Sequence, residues 1–512
     1  MAVTGPENHS APTLGELARL ADARVVGESA SALATAVTEI GLDSQALPAG
    51  ALFAALPGTR VHGASYAFDS PAGAILTDED GLAIITRTDE RRPVLVVEDV
   101  RAVLGRLSAE IYGHPTRELT VLGVTGTSGK TTTTYLLETG LMHAGLRTGI
   151  IGTTGTRING RVVETKLTTP EAPTLQKLFA TMREEGVTHV VMEVSSHALE
   201  LGRVAGVEFD VAGFTNLSQD HLDFHPTMEE YFEAKARFFR RDSELAATRA
   251  VVCVDDGWGE KMAELAGEDV VRVGTGGQEG LDYSATRTAQ DATGAQDLAI
   301  THDGQTVAVH LPLPGSFNIA NTALAVAMAA TAGVDAGTFA EGLAGVAVPG
   351  RMERIDEGQN FMAVVDYAHK PAAVAAVLDT LRAQTDGRVG IVVGAGGDRD
   401  SSKRPLMGQE AARRADLVIV TDDNPRSEEP APIRAAIVAG AQGVGSDTEI
   451  REIGSRAHAI DALIEWAQAG DAVIVTGKGH EVGQIIGSKV LHFDDREEVR
   501  RALAERAAKE NQ

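Results

Sequence analysis

The chain has 512 residues, of which 43% are hydrophobic, and a formal net charge of −26 at pH 7. This length suggests about three domains, and the acidic excess disfavours nonspecific binding to nucleic acid or to an anionic membrane. An anionic substrate would therefore need individually placed Arg and Lys side chains. The single cysteine, Cys253, excludes an intramolecular disulfide framework and fits a reducing compartment.

The start of the chain and its hydropathy predict a cytoplasmic protein. Residues 1–12 lack the basic start and apolar centre of a signal peptide. No run of about 18 apolar residues predicts a membrane span. We therefore expect no membrane span and no nucleic-acid partner.

The first part of the chain alternates short β-rich stretches with turns and helices. The β-rich stretches are residues 73–76, 82–85 and 93–97. A helix is expected from about Val100, and a Gly/Pro break follows it at residues 112–115. A second Gly/Pro break, at residues 348–350, follows an alanine-rich helix predicted over residues 318–332. The two breaks divide the chain into residues 1–115, 116–349 and 350–512.

Residues 123–135, GVTGTSGKTTTTY, have the context of a phosphate-binding loop. A short buried strand is predicted over residues 119–124, and the spacing of apolar residues after Lys130 predicts a helix that ends near Gly145. The usual form of such a loop is Gly, four residues and then Gly-Lys-Ser/Thr. This sequence departs from it by one residue, because Val124 stands where the first glycine is expected.

A nucleotide site is the interpretation that this context favours. Backbone N–H groups of residues 126–130 would surround phosphate oxygens at a helix N-terminus. Lys130 would add a positive charge, and the hydroxyl of Thr131 would bind Mg²⁺. A purely structural glycine turn is the alternative interpretation.

Two further strands of the second unit run into polar residues. Glu193 ends a strand predicted over residues 188–193, and a polar segment that ends at His221 follows a strand predicted over residues 209–214. Both would reach the same sheet edge as the phosphate loop. A carboxylate and an imidazole beside bound phosphates suit a divalent cation, and Mg²⁺ prefers oxygen ligands. His225 is assigned a structural role.

Lys235 is unusual because aromatic residues surround it on a helix predicted over residues 228–239. Its neighbours three and four positions away are Tyr231, Phe232, Phe238 and Phe239. Such a lysine either snorkels to solvent or loses its charge on burial. The pattern alone favours snorkelling. A neutral amine is nucleophilic, however, and becomes an anionic carbamate when it adds CO₂.

Three predicted apolar strands of the third unit each run into a polar loop. The strands are residues 389–393, 416–421 and 471–476, and the loops are GAGGDRD, DDNPR and GKGHE. Ligands of open parallel sheets bind beyond the carboxyl ends of the strands. We therefore expect one pocket lined by Arg399, Asn424, Arg426 and Glu481. Ordinary turns are the alternative, since Gly, Asp, Asn and Pro are turn residues.

Six ordered motifs resemble those of the Mur ligases over nearly the whole chain. They are GTSGKTT at 126–132, EVSSH at 193–197, NLSQDHLDFH at 216–225, GSFNIANTALA at 315–325, GRMER at 350–354 and DYAHKP at 366–371. The shortened glycine loop is the usual form in that family. The resemblance implies an α/β protein of three domains: a UDP-sugar-binding N-terminal domain, a central P-loop ATPase domain and a C-terminal Rossmann-like domain that brings the amino acid.

The resemblance also implies the chemistry of an ATP-dependent amide ligase. It is strongest to members that add the third residue of the peptidoglycan stem, with UDP-MurNAc-L-Ala-D-Glu and diaminopimelate as substrates. ATP would phosphorylate the D-glutamate carboxylate to an acyl phosphate, which the incoming amine would attack. Lys130 and Mg²⁺ would neutralise charge during phosphoryl transfer. We expect a cytoplasmic monomer.

The family motifs also imply site residues. The implied ATP-binding set is Gly126, Thr127, Ser128, Gly129, Lys130, Thr131, Thr132, Asn318, Arg351 and Asp366. The implied metal ligands are Thr131, Glu193, His221 and Lys235 as a carbamate, and the catalytic set is Lys130, Glu193, His221 and Lys235. The implied contacts to the UDP-MurNAc-dipeptide are Ser44, Thr168, Thr169, Ser195 and Arg203. One departure is Gln45, which stands where family members commonly have arginine.

Specificity for the third residue is implied by the loop at residues 423–426, which matches the diaminopimelate-adding members. The implied diaminopimelate-binding set is Arg399, Asp423, Asn424, Pro425, Arg426, Gly477 and Glu481. Diaminopimelate carries a carboxylate that lysine lacks, and Arg426 can bind it as a fork, supported by Arg399 and Asn424. Glu481 and the carbonyl of Gly477 would hold the distal ammonium. The sequence does not distinguish the meso from the LL isomer.

Two alternatives share parts of these patterns. A folylpolyglutamate synthase has the same ATPase core but lacks this N-terminal domain and the DNPR loop. A noncatalytic nucleotide-dependent regulator could use the same folds. The intact set of Lys130, Glu193, His221 and Lys235 argues against the regulator.

Overall fold

The structure is a computed structural model that describes residues 10–27, 30–58, 60–165, 167–222, 224–291 and 294–510. Within these residues, three large β-sheets follow one another along the chain, together with a two-stranded hairpin. The predicted α/β class is therefore confirmed. Asp223 of the NLSQDHLDFH motif, and the first nine residues of the segment tested for a signal peptide, lie outside the described residues.

The first sheet contains the strands of the N-terminal part of the chain. Its strands are β1 (Arg24–Val26), β2 (Glu39–Gly41), β3 (Ala51–Ala54), β4 (Ala74–Thr77) and β5 (Val94–Val96). The helices of this part are α1 (Leu14–Leu20), α2 (Ala30–Leu33), α3 (Glu79–Ile85) and α4 (Val100–Ile111). The strand order is β1-β5-β4-β3-β2. Among the described residues of this sheet, β1 pairs with β5 in the antiparallel direction, and the other neighbouring strands pair in parallel.

Residues 82–85, which were expected to be β-rich, lie in helix α3 instead. Asp78 caps this helix, since its side chain accepts a hydrogen bond from the Gly81 N–H, and Glu79 and Asp80 occupy the first turn. Both features stabilise a helix N-terminus. A run of four apolar residues is too short to distinguish a strand from a turn of buried helix.

The central sheet carries the phosphate loop. Its strands are β6 (Thr120–Thr125), β7 (Thr148–Gly152), β8 (Gly155–Ile158), β9 (Arg161–Val163), β10 (His189–Glu193), β11 (Val211–Phe214), β12 (Arg249–Cys253), β13 (Val271–Gly274), β14 (Tyr283–Gln290), β15 (Gln296–His302) and β16 (Gln305–Leu311). The helices are α5 (Lys130–His143), α6 (Ala172–Glu184), α7 (Ser196–Glu200), α8 (Met228–Ala236), α9 (Gly257–Ala266), α10 (Phe317–Thr331) and α11 (Ala336–Gly342). Short 3₁₀ helices occur at Gly63–Tyr66, Pro115–Arg117 and Leu343–Gly345.

Strand β6 lies between β10 and β11 and pairs with both in parallel. The carboxyl ends of these three strands therefore meet at one edge of the sheet, as the sequence predicted. Apolar cores fill both faces of the sheet. Leu122 and Val124 face the core shared with α5 and α10, while Val121 faces the core shared with α6 and α8. This packing fixes the position of the phosphate loop.

The third sheet has the strand order β17-β18-β22-β19-β20-β21. Its strands are β17 (Glu353–Arg354), β18 (Met362–Asp366), β19 (Val389–Val393), β20 (Leu417–Val420), β21 (Glu449–Glu452) and β22 (Ala472–Thr476), and the separate hairpin is β23 (Gly483–Ile486) and β24 (Lys489–His492). The helices are α12 (Pro371–Arg382), α13 (Lys403–Ala412), α14 (Pro430–Gln442), α15 (Arg456–Trp466) and α16 (Asp495–Glu510).

The three strands predicted for the third unit, now β19, β20 and β22, are neighbours in this sheet and run parallel. Their polar loops therefore leave the sheet at the same edge. Among the helices in the described ranges, none combines the length and apolar character needed to cross a bilayer.

Candidate active site

A cavity of about 840 Å³ lies where the edge of the central sheet faces the edge of the third sheet. The predicted site residues that line it are Thr127, Ser128, Gly129, Lys130, Thr131, Thr132, Thr168, Thr169, Glu193, Ser195, Arg203, His221, Asn318, Arg351, Asp366, Arg399, Asp423, Asn424, Arg426, Gly477 and Glu481. The predicted site residues that do not line it are Ser44, Gly126, Lys235 and Pro425. The nucleotide, metal and amino-acid sets of the sequence analysis thus share one cleft.

Contacts with the segment after β11 fix the conformation of the phosphate loop. Gly126 has a φ of 142°, and a Cβ at this position would lie 1.9 Å from Thr215 Oγ1, so the position requires glycine. Thr127 N–H donates to the Asn216 carbonyl at 2.9 Å, and Ser128 N–H donates to Asn216 Oδ1 at 3.0 Å. Two of the N–H groups that were expected to face phosphate are therefore bonded within the protein.

Lys130 turns its side chain back onto its own loop. Its Nζ donates to the carbonyls of Gly126 at 2.8 Å and Thr127 at 3.1 Å. Enclosure in the cleft, with the positive charge of Lys370 as a second cause, lowers the pKa of the Lys130 ammonium to about 8. A phosphate at this loop would replace two neutral acceptors with an anionic one, which favours the charged form.

Glu193 and Thr131 meet at the start of helix α5. Thr131 Oγ1 donates to Glu193 Oε1 at 3.0 Å, and Thr153 holds the same carboxylate through its N–H at 2.9 Å and its hydroxyl at 3.0 Å. Arg351, from the third unit, donates to Thr131 Oγ1 at 3.1 Å. The Glu193 carboxylate and Thr131 hydroxyl are oxygen donors of the kind that Mg²⁺ prefers, so this pair fits a magnesium ion.

His221 has a backbone conformation that is rare for residues other than glycine. Its φ is 54°, and its Nε2 lies 3.0 Å from Asp220 Oδ2. The imidazole is 41% exposed and faces the cleft. Strained backbone of this kind is concentrated at functional sites. Within the described ranges, no group of three or more His, Cys, Asp or Glu side chains forms a ready-made metal site.

Lys235 is buried beneath the phosphate loop. It is 1% exposed, and its Nζ donates to the Gly126 carbonyl at 3.0 Å and lies 4.6 Å from the centre of the Tyr231 ring. The snorkelling expectation is therefore wrong. Burial, followed by the charges of Lys130 and Lys370, lowers the pKa of the amine well below its ordinary value. Burial therefore favours the neutral form of the Lys235 amine over the charged form.

The predicted dipeptide contacts form a group beside Glu193, except for Ser44. Thr169 Oγ1 donates to the Glu193 carbonyl at 2.9 Å, and Thr168 Oγ1 lies 3.2 Å from Thr153 Oγ1. Arg203 donates to the Thr169 carbonyl at 3.4 Å. The side chain of Ser195 caps helix α7. Ser44 belongs to the N-terminal part of the chain and is buried there.

The remaining nucleotide-set residues lie on helix α10 and at the end of β18. Asn318 Nδ2 donates to the Pro314 carbonyl at 2.7 Å. Asp366 accepts backbone hydrogen bonds from Met352 and Ala368, both at 2.7 Å. Asp366 therefore fixes the loop that carries Arg351.

The DNPR loop and Glu481 form the amino-acid side of the cleft. Arg426 has a φ of 53°, and its Nη1 donates to the Gly397 carbonyl at 2.6 Å. Asn424 Nδ2 donates to Glu481 Oε2 at 3.1 Å, and the Tyr367 hydroxyl donates to Glu481 Oε1 at 3.3 Å. Burial, with the nearby Asp423 charge, raises the pKa of the Glu481 carboxyl. The hydrogen bond between Asn424 and Glu481 thus connects the loop after β20 to the loop after β22.

Lys478, which was not among the predicted site residues, connects several groups on the amino-acid side of the cleft. It is fully buried, and its Nζ donates to Asn424 Oδ1 at 2.9 Å and to the Gly483 carbonyl at 2.8 Å, and lies 3.2 Å from Asp423 Oδ1. The available signal was a lysine in GKGHE, directly after a buried strand. Thr153, Asn216 and Asp220 were also missed, because ordinary polar residues carry no spacing signature.

The sequence matches three models of one protein family. The sequence matches the Mur ligase family, catalytic domain, over residues 36–112, the Mur ligase middle domain over residues 124–329, and the Mur ligase, glutamate ligase domain, over residues 350–479. The chain belongs to the Mur ligase family. Membership in this family implies that the chain binds ATP.

Relatives similar over their whole length carry one name. The chain is 63% identical over 505 residues to the UDP-N-acetylmuramoyl-L-alanyl-D-glutamate--2,6-diaminopimelate ligase of Corynebacterium glutamicum, covering 96% of this chain and 97% of that protein. It is 45% identical over 509 residues to the ligase of the same name from Streptomyces coelicolor, covering 98% of this chain and 99% of that protein.

Solved structures agree with the fold. A structure of UDP-N-acetylmuramoyl-L-alanyl-D-glutamate--2,6-diaminopimelate ligase aligns with a TM-score of 0.64 and 33% identity, covering 94% of this chain and 97% of that chain. MurF ligase from Thermotoga maritima in complex with ADP aligns with a TM-score of 0.63 at 21% identity, covering 93% of this chain and 99% of that chain. The three-domain Mur ligase fold implied by the motifs is confirmed.

Proposed function

We propose that the chain is the ATP-dependent amide ligase that joins diaminopimelate to the D-glutamate carboxyl of UDP-MurNAc-L-Ala-D-Glu. The observation that carries this proposal is the single cleft that holds the phosphate loop, Glu193 and the DNPR loop. The reaction needs a nucleotide, an acceptor carboxylate and an amine within contact of one another, and this cleft brings together the residues proposed to bind each of them.

The proposal includes a role for each part of the chain. Residues 1–115 bind the UDP-sugar, residues 116–349 bind ATP and carry the ligase chemistry, and residues 350–512 bind diaminopimelate. The enzyme acts as a cytoplasmic monomer in peptidoglycan precursor synthesis. Near-complete coverage of the diaminopimelate ligases supports this arrangement.

In the first half-reaction, an oxygen of the D-glutamate carboxylate attacks the γ-phosphorus of ATP, and ADP leaves. Lys130 exchanges its bonds to the loop carbonyls for bonds to phosphate oxygens, where its charge stabilises the transferring group. Thr131, Glu193 and His221 would hold Mg²⁺, with Lys235 as a carbamate. When bound, Mg²⁺ supplies charge neutralisation at the phosphates. Arg351 orients the Thr131 hydroxyl from the other side of the cleft.

In the second half-reaction, the neutral amine of diaminopimelate attacks the acyl carbon. A new C–N bond forms, the C–O bond to phosphate breaks, and the attacking nitrogen releases one proton to solvent. The phosphate leaving group is essential because a free carboxylate is a poor electrophile. Arg426 and Glu481, on the far side of the cleft, would orient the distal carboxylate and ammonium so that the reacting amine faces Glu193 and Lys130.

The carbamate on Lys235 is part of the proposal. A neutral amine adds CO₂ with loss of one proton and becomes an anion with two oxygens. Burial without a carboxylate partner within hydrogen-bond distance in the described contacts supports a neutral amine here. Lys235→Ala should abolish ligation, and short carboxylates should partly restore it. In ¹³CO₂-equilibrated enzyme, a carbamate carbon signal should appear and should be missing from the variant. Near-normal activity of Lys235→Ala would exclude the carbamate role.

The deciding experiment is an amino-acid panel with UDP-MurNAc-L-Ala-D-Glu, in which phosphate release and product mass are measured together. We expect ATP-dependent ligation of diaminopimelate and strong discrimination against lysine. Separate meso and LL samples assign the isomer. A parallel assay offers a folate as the acceptor and glutamate as the amine. Phosphate release that does not depend on any amino acid, or ligation of glutamate to the folate, would replace the proposal with one of its alternatives.

A further inference from the structure

Lys370 belongs to the third unit, but its side chain enters the central one. Its Nζ lies 2.8 Å from Asp220 Oδ2 and donates to the Thr127 carbonyl at 3.2 Å. Lys370 and Asp220 are each 7% exposed. This is a buried ion pair between the two halves of the cleft, and its lysine reaches the phosphate loop itself.

The position of Lys370 is unfavourable for the helix that it precedes. Lys370 is the N-cap of α12 and makes no side-chain cap hydrogen bond. An N-cap side chain normally accepts a hydrogen bond from the first turn, which an ammonium cannot do. Its positive charge also lies at the positive end of the helix dipole. Helix stability therefore does not explain a lysine at this position, whereas its contacts across the cleft do.

Both groups that Lys370 contacts also contact a proposed catalytic residue, Lys130 or His221. The Thr127 carbonyl also accepts from Lys130 Nζ at 3.1 Å, so two ammonium groups share one acceptor. Asp220 Oδ2 lies 3.0 Å from His221 Nε2 as well as next to Lys370. One side chain from the third unit thus touches the acceptor that holds Lys130 and the carboxylate that orients His221.

We propose that Lys370 is a positioning residue that couples docking of the C-terminal part to arrangement of the phosphate loop. In the docked arrangement Lys370 competes with Lys130 for the Thr127 carbonyl, which weakens the hold of the loop on Lys130 and makes its transfer to a phosphate easier. Its pair with Asp220 fixes the carboxylate against which the His221 ring lies. The kinetic part of this inference rests on the proposed ligase function, whereas the docking part does not.

The test compares Lys370→Thr, Lys370→Arg, Asp220→Asn and the double variant Lys370→Thr/Asp220→Asn. Threonine is a good N-cap, so Lys370→Thr removes the ionic contact while improving helix α12. The matched control is Lys177→Thr, which breaks an exposed ion pair with Glu39 elsewhere on the chain, where the lysine side chain is 56% exposed.

Docking is measured without substrates and with a nonhydrolysable ATP analogue, as the distance between labels on Glu244→Cys and Asp447→Cys. Both positions are exposed, and the natural cysteine, Cys253, is buried. We expect Lys370→Thr to melt near the parent temperature, because separation of the two sides of the cleft returns Asp220 to solvent, but to show a longer and broader distance distribution. Lys370→Arg should keep most of the docked population.

In the ligase assay, kcat of Lys370→Thr should fall by about tenfold or more, as for truncation of one partner of a buried charge pair. The double variant should lose little more than Asp220→Asn, because the two residues act as one unit. The control should match the parent in both assays.

Three results would overturn the inference. They are a parent-like distance and kcat in Lys370→Thr, additive losses in the double variant, or a melting temperature of Lys370→Thr well below the parent, which would make Lys370 a folding residue. If the parent enzyme ligates no amino acid, the proposed function fails while the label distances still decide the docking role.

Discussion

Arg426 provides the sharpest prediction, since it separates two amino acids that differ by one carboxylate. Its guanidinium is half-buried, and one of its five N–H donors is bonded to the Gly397 carbonyl at 2.6 Å. That bond anchors the group and leaves donors that can fork onto the distal carboxylate of diaminopimelate. Lysine offers no carboxylate there, so its binding would leave this guanidinium unpaired in the cleft.

The burial of Arg426 sets the expected loss of binding free energy for diaminopimelate in Arg426→Ala. Truncating one partner of a buried hydrogen-bonded charge pair costs about 2–5 kcal/mol or more. Because Arg426 is only half-buried, we expect the lower part of this range, about 2–3 kcal/mol. At about 1.4 kcal/mol per factor of ten, Arg426→Ala should raise the KM for diaminopimelate roughly 30- to 150-fold. Arg426→Lys should recover little, because the planar fork is lost.

The assay measures initial rates of phosphate release with diaminopimelate or lysine as the varied substrate. The KM values for ATP and for UDP-MurNAc-L-Ala-D-Glu should stay near those of the parent, because their proposed contacts lie on other parts of the chain. The control is Arg451→Ala, which removes an arginine on β21 that pairs with its neighbour Glu449. Equal use of lysine and diaminopimelate by the parent enzyme, or full discrimination in Arg426→Ala, would refute this account of the DNPR loop.

Three further predictions concern other charged groups in or beside the cleft. Lys130→Ala should keep the parent melting temperature, because burial disfavours its charge, but should lose acyl phosphate formation; unchanged turnover would contradict the loop assignment. Lys478→Met should destabilise the protein by about 3–5 kcal/mol in chemical unfolding, since Asp423 would stay buried without its cation, and should raise the KM for diaminopimelate. The raised pKa of Glu481 means that its carboxyl is protonated at a higher pH than that of an ordinary glutamate. On acidification, the KM for diaminopimelate should therefore begin to increase while the pH is still above ~4.3. Glu481→Gln should flatten this increase, and an unchanged pH profile would remove Glu481 from the site.

Regular apolar runs made most of the fold predictable. β19 occupies the predicted residues, and β20 and β22 differ from prediction by a residue at their ends. Buried strands of a parallel sheet are continuous apolar runs bounded by turn residues, so composition alone locates them. Prediction failed where a short apolar run belonged to a capped helix, as in α3. There the Asp78 cap outweighed the local β pattern.

The site was predictable where chemistry imposes a residue type at a fixed spacing. Glycines at positive φ, the lysine after them, the carboxylate that ends β10 and the polar loop that follows β20 are consistent with such rules. Lys235 shows the limit of a helical pattern, which located its aromatic neighbours but not the direction of its side chain. Lys370 and Lys478 stand in motifs that the sequence shows, but their roles could not be predicted, because each depends on contacts with distant parts of the chain.

The cations of the cleft lie in a strongly acidic protein, and this contrast affects how substrates arrive. Lys130, Arg351, Lys370 and Lys403 line the cavity of a chain with a formal net charge of −26. At 0.15 M ionic strength the Debye length is ~8 Å, so the attraction of these cations barely extends beyond the cleft mouth. At longer range the acidic surface repels polyanions such as ATP and the UDP-sugar. Added salt should therefore speed the first encounter before it weakens the bound complex, the reverse of the behaviour of enzymes that steer anions with basic surfaces.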